Sequence, residues 1–174
     1  MRAFISISIP KNIRKEIRKI QENLPEFFGK KIELENLHLT LKFLGDIGEN
    51  KLEGVKEKLR EIKFNQFKTE IDSIGVFSEK FIRIVWLHLT NCNDLQKEID
   101  ERLEDLFEKE NRFMSHLTIA RVKNVGNRGE FLENLRKIKI PKIKFVVGDF
   151  KLKKSVLTEN GPIYETLKFF NLEN

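Results

Sequence analysis

The sequence is poor in the residues that build disulfide scaffolds and metal clusters: it has a single cysteine, Cys92, and only three histidines. One cysteine excludes an intramolecular disulfide and points to a reducing compartment, so a cytoplasmic protein is expected. It also excludes thiolate zinc clusters, which need several cysteines at fixed spacing. The histidines lie in no close-spaced motif with carboxylates, so neither a metal nor another cofactor is expected. No apolar run approaches the roughly 20 residues of a membrane span. The N-terminal Met1-Arg2-Ala3-Phe4-Ile5-Ser6-Ile7 lacks the apolar stretch of a signal peptide and reads as a strand. With one Trp and one Tyr against 15 Phe, the core is expected to rest on Phe and Ile.

What is present supports a folded chain. Hydrophobic residues make up 40% of 174 residues, enough for one domain or for two small lobes sharing a cleft. The net charge of +6 favours an anionic partner, and nucleic acid is the commonest. Lys and Glu alternate along the presumed helices, however, so much of that charge belongs to solvated faces.

Hydrophobic periodicity orders the chain. Ile5, Ile7 and Ile9 alternate as in a strand over 2–9. Pro10 opens a helix with the stripe Ile13, Ile17, Ile20 and Leu24, closed by Pro25. Residues 37–44 read as a strand ending at Gly45-Asp46, and 50–62 as a helix through Leu52, Val55, Leu59 and Ile62. Residues 67–77 and 81–90 read as a hairpin about Ser78-Glu79-Lys80. Asn93 or Asp94 is expected to cap a helix reaching about Lys109. A strand over 116–122, a helix near 129–139, and strands near 143–150, 152–157 and 163–169 follow, the last two joined through Asn160-Gly161-Pro162.

The order strand, helix, His-containing strand, helix, strand occurs over 2–77 and again over 81–150, with closing strands over 152–170. This predicts an α+β fold over 1–174: two pseudo-twofold-related lobes, each an antiparallel sheet with helices outside, and an active-site cleft between them. Because the repeat supplies both halves of a site, a monomer is expected.

All three histidines occur in the tripeptide His-Leu-Thr, at His38, His88 and His116. In a strand, residues two apart face the same way. His38 therefore points with Thr40, and His116 with Thr118, while Leu39, Leu41, Leu117 and Ile119 point into the apolar side. Two imidazoles opposed across a cleft suit a phosphodiester, since one ring can accept a proton from water while the other donates one to the leaving oxygen. The threonine hydroxyls can donate hydrogen bonds to the non-bridging oxygens. His88 occupies a strand that corresponds to the first strand of the other half, and reads as a strand-end histidine outside the chemistry.

The motifs His38-Leu39-Thr40-Leu41 and His116-Leu117-Thr118-Ile119, some 78 positions apart, resemble the two-histidine phosphoesterase superfamily. Their flanks, 37–46 with Lys42-Phe43-Leu44-Gly45-Asp46 and 116–121 with Ala120-Arg121, are similar to the LigT/ThpR branch. That branch comprises RNA 2′,3′-cyclic phosphodiesterases, also called 2′-5′ RNA ligases. The opening strand, Val85-Trp86-Leu87, and Ser155 with Gly161-Pro162-Ile163-Tyr164-Glu165 fit as well, so the resemblance covers nearly the whole chain. Ile119 in place of leucine is a conservative departure. The resemblance implies RNA with a 2′,3′-cyclic phosphate end as substrate, opened to a 2′-phosphate, with 2′-5′ ligation as the reverse. It implies His38 as proton donor and His116 as proton acceptor; the sequence itself does not say which starts protonated. Within the superfamily, 2′-5′ oligoadenylates and cyclic nucleotides are alternative substrates, and a non-catalytic RNA-binding module is the alternative outside enzymes.

Supporting residues carry two readings each. Arg121 is either a phosphate ligand or a strand-end arginine in an ion pair. Alternation puts Lys42 on the His38 face, as cleft charge or as a plain exposed lysine. Phe43 then falls in the core, and a role in base stacking would need the strand to bulge there. Tyr164 and Trp86 read as packing residues, and the run Lys151-Leu152-Lys153-Lys154 as a solvated face that could instead guide RNA.

Overall fold

A computed structural model describes residues 1–174. The alternating segments form β1 (Arg2–Ser8), β2 (Phe28–Lys31), β3 (His38–Asp46), β4 (Phe67–Val76), β5 (Ile84–Leu89), β6 (His116–Asn124), β7 (Ile143–Val147), β8 (Asp149–Thr158) and β9 (Gly161–Asn171). The amphipathic segments form α1 (Lys11–Glu22), α2 (Glu49–Arg60), α3 (Asn93–Arg102) and α4 (Arg128–Arg136). One sheet runs in the order β7-β4-β5-β6-β3-β1-β8-β9, with β2 beside β6 and every strand pair antiparallel.

Two four-strand groups meet at the middle of this sheet. There β3 and β6 share a single partner pair, Leu39 with Leu117, both fully buried. β1 and β3 pair as β5 and β6 do, and β3 and β6 repeat the same sequence of buried and exposed residues. The lobes are not, however, the two stretches of sequence repeat. β4, which closes the first repeat in the chain, hydrogen-bonds to β5 and β7, whereas β8 and β9 complete the sheet of β1 and β3. The β5–β6 group thus takes β4 from the first repeat, and the β1–β3 group is finished by the last two strands of the chain.

The apolar side of the sheet packs against the helices. Ile5, Ile7, Leu39, Leu41, Leu87, Leu117 and Ile119 meet Ile13, Ile17, Val55, Leu59, Leu95 and Ile99 in one core. Ile and Leu dominate that core; several of the Phe side chains, among them Phe28, Phe43, Phe77, Phe81 and Phe169, are exposed instead. Burying a side chain such as Leu39 contributes about 1.5–3 kcal/mol, so the core fixes which faces of β3 and β6 look outward.

Three boundaries differ from the sequence expectation. α3 ends at Arg102 rather than near Lys109, because the Asp100 carboxylate accepts a hydrogen bond from Glu110 N at 2.8 Å and turns the chain back. Its N-cap is Cys92, without a side-chain cap, so neither Asn93 nor Asp94 serves. β2 was not foreseen: Phe-Gly-Lys-Lys is exposed at all four positions and has no alternation to read. It sits beside β6 because Gly29, at φ +152°, lets the backbones meet; a Cβ there would lie 2.2 Å from Arg121 O.

Candidate active site

Hydrogen bonding inside β1–β3 slips by one residue at a decisive place. Ser6 pairs with Thr40 and Ile5 with Lys42, so Leu41 is an extra residue and the strand bulges. β6 does the same: Trp86 pairs with Thr118 and Val85 with Ala120, leaving Ile119 extra. Each bulge reverses the alternation beyond it. Leu41 and Lys42 are both buried, and Phe43 emerges on the histidine side, 75% exposed. Likewise Ile119 and Ala120 are buried and Arg121 emerges.

The expected faces of Lys42 and Phe43 are therefore exchanged. Lys42 leaves the cleft for the core, where its ammonium pairs with the Asp100 carboxylate and donates to Glu108 O at 2.8 Å. Phe43 lines the cleft. Gln21 on α1 serves β6 from behind, donating to Ile119 O at 2.9 Å and Ile32 O at 2.8 Å. Both bulges are thus held by a polar side chain from a helix, Asp100 acting through Lys42. Neither Gln21 nor Asp100 was singled out from sequence. The signal was there, a polar residue directly after a buried isoleucine (Ile20, Ile99) on an otherwise apolar helix face.

A cavity of about 610 Å³ opens between β3 and β6. Its lining includes His38, Thr40, His116, Thr118, Arg121 and Phe43, together with Phe4, Tyr164, Asn36, Ile84 and Arg2. Leu41 and Ile119 face the core instead, as the pattern predicted. The arginines that form ion pairs are Arg102 and Arg136; Arg121 forms none, so its guanidinium faces the cavity unneutralised.

The two histidines are held alike. His38 Nδ1 donates to Asn36 O at 2.7 Å, and His116 Nδ1 donates to Met114 O at 2.8 Å. A carbonyl only accepts, so Nδ1 carries a proton in each ring and Nε2 is left for the cavity. Their surroundings differ. His38 packs against Phe4 at 5.1 Å and edge-on to Tyr164 at 5.0 Å, whereas His116 meets the exposed Phe77 edge-on at 4.8 Å. Burial lowers the His38 pKa to about 4, opposed by its bond to Asn36 and helped by the charges of Lys153, Arg121 and His116. Burial thus holds His38 uncharged at neutral pH.

Tyr164 thus lines the cavity against His38, beyond the packing role read from sequence. Trp86 is half-buried over Gly75, where an added Cβ would lie 2.7 Å from the indole. His88 pairs across β5–β6 with His116 but is tied to Asp72 Oδ1 at 2.7 Å, outside the cavity. No group of three or more His, Cys, Asp or Glu converges as a metal-binding set.

Comparison with known proteins gives a concordant picture. A family model described as LigT like phosphoesterase matches residues 7–86 and 89–164, each stretch holding one of the two cleft motifs. The chain is 42% identical over 174 residues to an RNA 2′,3′-cyclic phosphodiesterase of Methanocaldococcus jannaschii, covering 97% of this chain and 99% of the relative. It is 36% identical over 177 residues to a protein of the same name from Archaeoglobus fulgidus, covering 98% and 99%. Among solved structures, apo E. coli LigT superposes with a TM-score of 0.81 at 23% identity, over 99% of this chain and 98% of that one.

Proposed function

The chain belongs to the LigT-like phosphoesterase family, and from that premise we propose that it hydrolyses RNA 2′,3′-cyclic phosphate ends to 2′-phosphates. One observation carries the reading. Two strands bring an imidazole and a hydroxyl each, His38 with Thr40 and His116 with Thr118, into a single cavity with Arg121. The names of the relatives supply the substrate class.

The chemistry follows from that set. His116, with Nε2 facing the cavity, accepts a proton from water as the water oxygen bonds to phosphorus. The P–O3′ bond breaks, and His38 gives its proton to the departing 3′ oxygen, leaving a 2′-phosphate and a 3′-hydroxyl. Thr40, Thr118 and Arg121 hold the non-bridging oxygens as charge builds on them. The donor role requires His38 to be charged, which its burial opposes. The phosphodiester anion supplies the missing term: it offsets Arg121 and Lys153 and raises the pKa of the imidazole it touches. With the 5′-hydroxyl of a second RNA end attacking phosphorus in place of water, His116 taking its proton and His38 protonating the departing 3′ oxygen, the same cleavage of P–O3′ would join the ends through a 2′-5′ link and leave a 3′-hydroxyl.

Both histidines come from one chain, which supports a monomer, and the unpaired, buried Cys92 supports a reducing, cytoplasmic setting. No helix is long and apolar enough to cross a membrane. The test is turnover of a short RNA ending in a 2′,3′-cyclic phosphate in excess EDTA. Wild type and His88→Ala should form the 2′-phosphate, while His38→Ala and His116→Ala should each lose about 100- to 10,000-fold in rate. Full activity in either of the last two variants would sink the mechanism.

A further inference from the structure

The face that carries the histidines continues past the cavity on one side. β8 runs beside β1 with Lys151 opposite Ser6 and Lys153 opposite Phe4, which places both amines on the same face as the Phe4 ring against His38. Lys151 is partly occupied: it lies 3.9 Å from Asp149 Oδ1 and over the Phe169 ring. Lys153 is half-buried and has no partner, although its neighbours on β8, Lys151 and Lys154, each face a carboxylate. Burial, with Lys151 and Arg14 close by, lowers its pKa, and the Asp149 carboxylate only partly opposes this. Arg14 is held by donating from Nε to Ile9 O at 2.8 Å. With Lys11 and Lys151 it lines a second cavity of about 250 Å³, beside the first turn of α1. Beneath this group, Ser6 keeps a buried hydroxyl without a hydrogen-bond partner.

Holding a desolvated ammonium among other cations costs stability; a face that does so presents positive potential to an anion. The other lobe has no half-buried lysine at the corresponding place; its cations Lys80, Arg83, Lys123 and Arg128 are exposed and line a separate cavity. Where β8 flanks β1 with lysines, β4 flanks β5 with Gly75 opposite Trp86 and Ser73 opposite His88. A strand bearing lysines on the histidine face therefore flanks the cleft on the first lobe alone. β8 lies two strand spacings from β3, about 10 Å, a span that an extended nucleotide covers with the lysine reaching back.

We propose that the RNA strand leaves the cleft over the first lobe, with Lys153 binding the phosphate that precedes the cyclic end and Arg14 and Lys151 taking the one before it. This rests on the RNA-end reading above and adds a direction to it.

The experiment compares wild type with Lys153→Met, which keeps the aliphatic stem, on two substrates: a nucleoside 2′,3′-cyclic monophosphate and a short RNA with the same end. In parallel, binding of a fluorescent single-stranded RNA is followed across a salt series. The substitution should lower kcat/KM on the RNA by roughly tenfold more than on the mononucleotide. It should also flatten the slope of log affinity against log salt by about 0.7, the value of one single-strand phosphate contact. Lys153→Arg should restore both, and Lys137→Met, at the far end of α4, should change neither. Equal losses on the two substrates, or an unchanged salt slope, would overturn the proposal. If wild type turns over neither substrate, the RNA-end reading fails, and the salt slope alone still decides whether Lys153 holds an RNA phosphate.

Discussion

Phe43 and Arg121 occupy the same position in the two lobes, each the first residue to return to the cleft face after a bulge. A symmetric scaffold thereby presents an aromatic ring from one strand and a guanidinium from the other. The ring suits a base and the guanidinium a phosphate.

The two substitutions should therefore separate kinetically. Arg121→Met removes the charge proposed to meet the phosphate as negative charge grows on its oxygens, and should lower kcat by about 100- to 1,000-fold. Phe43→Leu removes a stacking surface worth about 1–3 kcal/mol, and should raise KM while leaving kcat near wild type. Steady-state kinetics on a cyclic-phosphate RNA decides the matter; a kcat defect in Phe43→Leu larger than its KM defect would refute the assignment.

Lys42 and Asp100 make a second, independent prediction. Both side chains are buried, so removing one leaves the other charge uncompensated, at a cost of about 3–5 kcal/mol. Lys42→Met should lower the urea midpoint accordingly, and Asp100→Leu added to it should recover much of the loss, because an apolar pair of similar volume tolerates the site. The pair also holds the strand that carries His38, through Lys42 and the turn at Glu108–Glu110. Activity in the single variant should fall further than the folded fraction explains. Additive stability losses in the double variant would show that the two residues do not act as a pair.

These two residues also mark where sequence reading stops. Paired strands with an imidazole and a hydroxyl on one face are written in His-Leu-Thr itself, because period-two alternation needs only local information. The fold class followed from the order of elements for the same reason. A bulge is different: it arises from how β3 and β6 fit β1 and β5, and nothing within Leu41-Lys42-Phe43 announces it. Strict alternation therefore sent Lys42 to the cleft and Phe43 to the core, the reverse of their positions. The exchange of β4 and β8 between lobes is likewise a matter of partners far apart in the chain. The unpartnered state of Lys153 depends on where the acidic side chains come to rest, which a run of three lysines over four residues does not disclose.

The last prediction concerns protons on His38. Unfolded, its imidazole titrates near 6.5; folded, burial brings it to about 4. Between those values the unfolded chain binds more protons than the native one, so stability falls as pH drops through this window, and the loss is complete below about 4. The full effect is on the order of 3 kcal/mol. Carboxylates titrate in the same range, so the informative quantity is the difference between wild type and His38→Asn. Thermal melts at pH 7 and pH 4.5 should show the variant losing less Tm than wild type, and equal losses would mean that His38 is not held neutral by the fold. An NMR titration of the ring tests the catalytic side of the same point. Inorganic phosphate in the cleft should move the His38 midpoint upward, toward the charged form that a proton donor needs. A midpoint that stays near 4 with phosphate bound would leave His38 unable to donate, and would pass the acid role to His116.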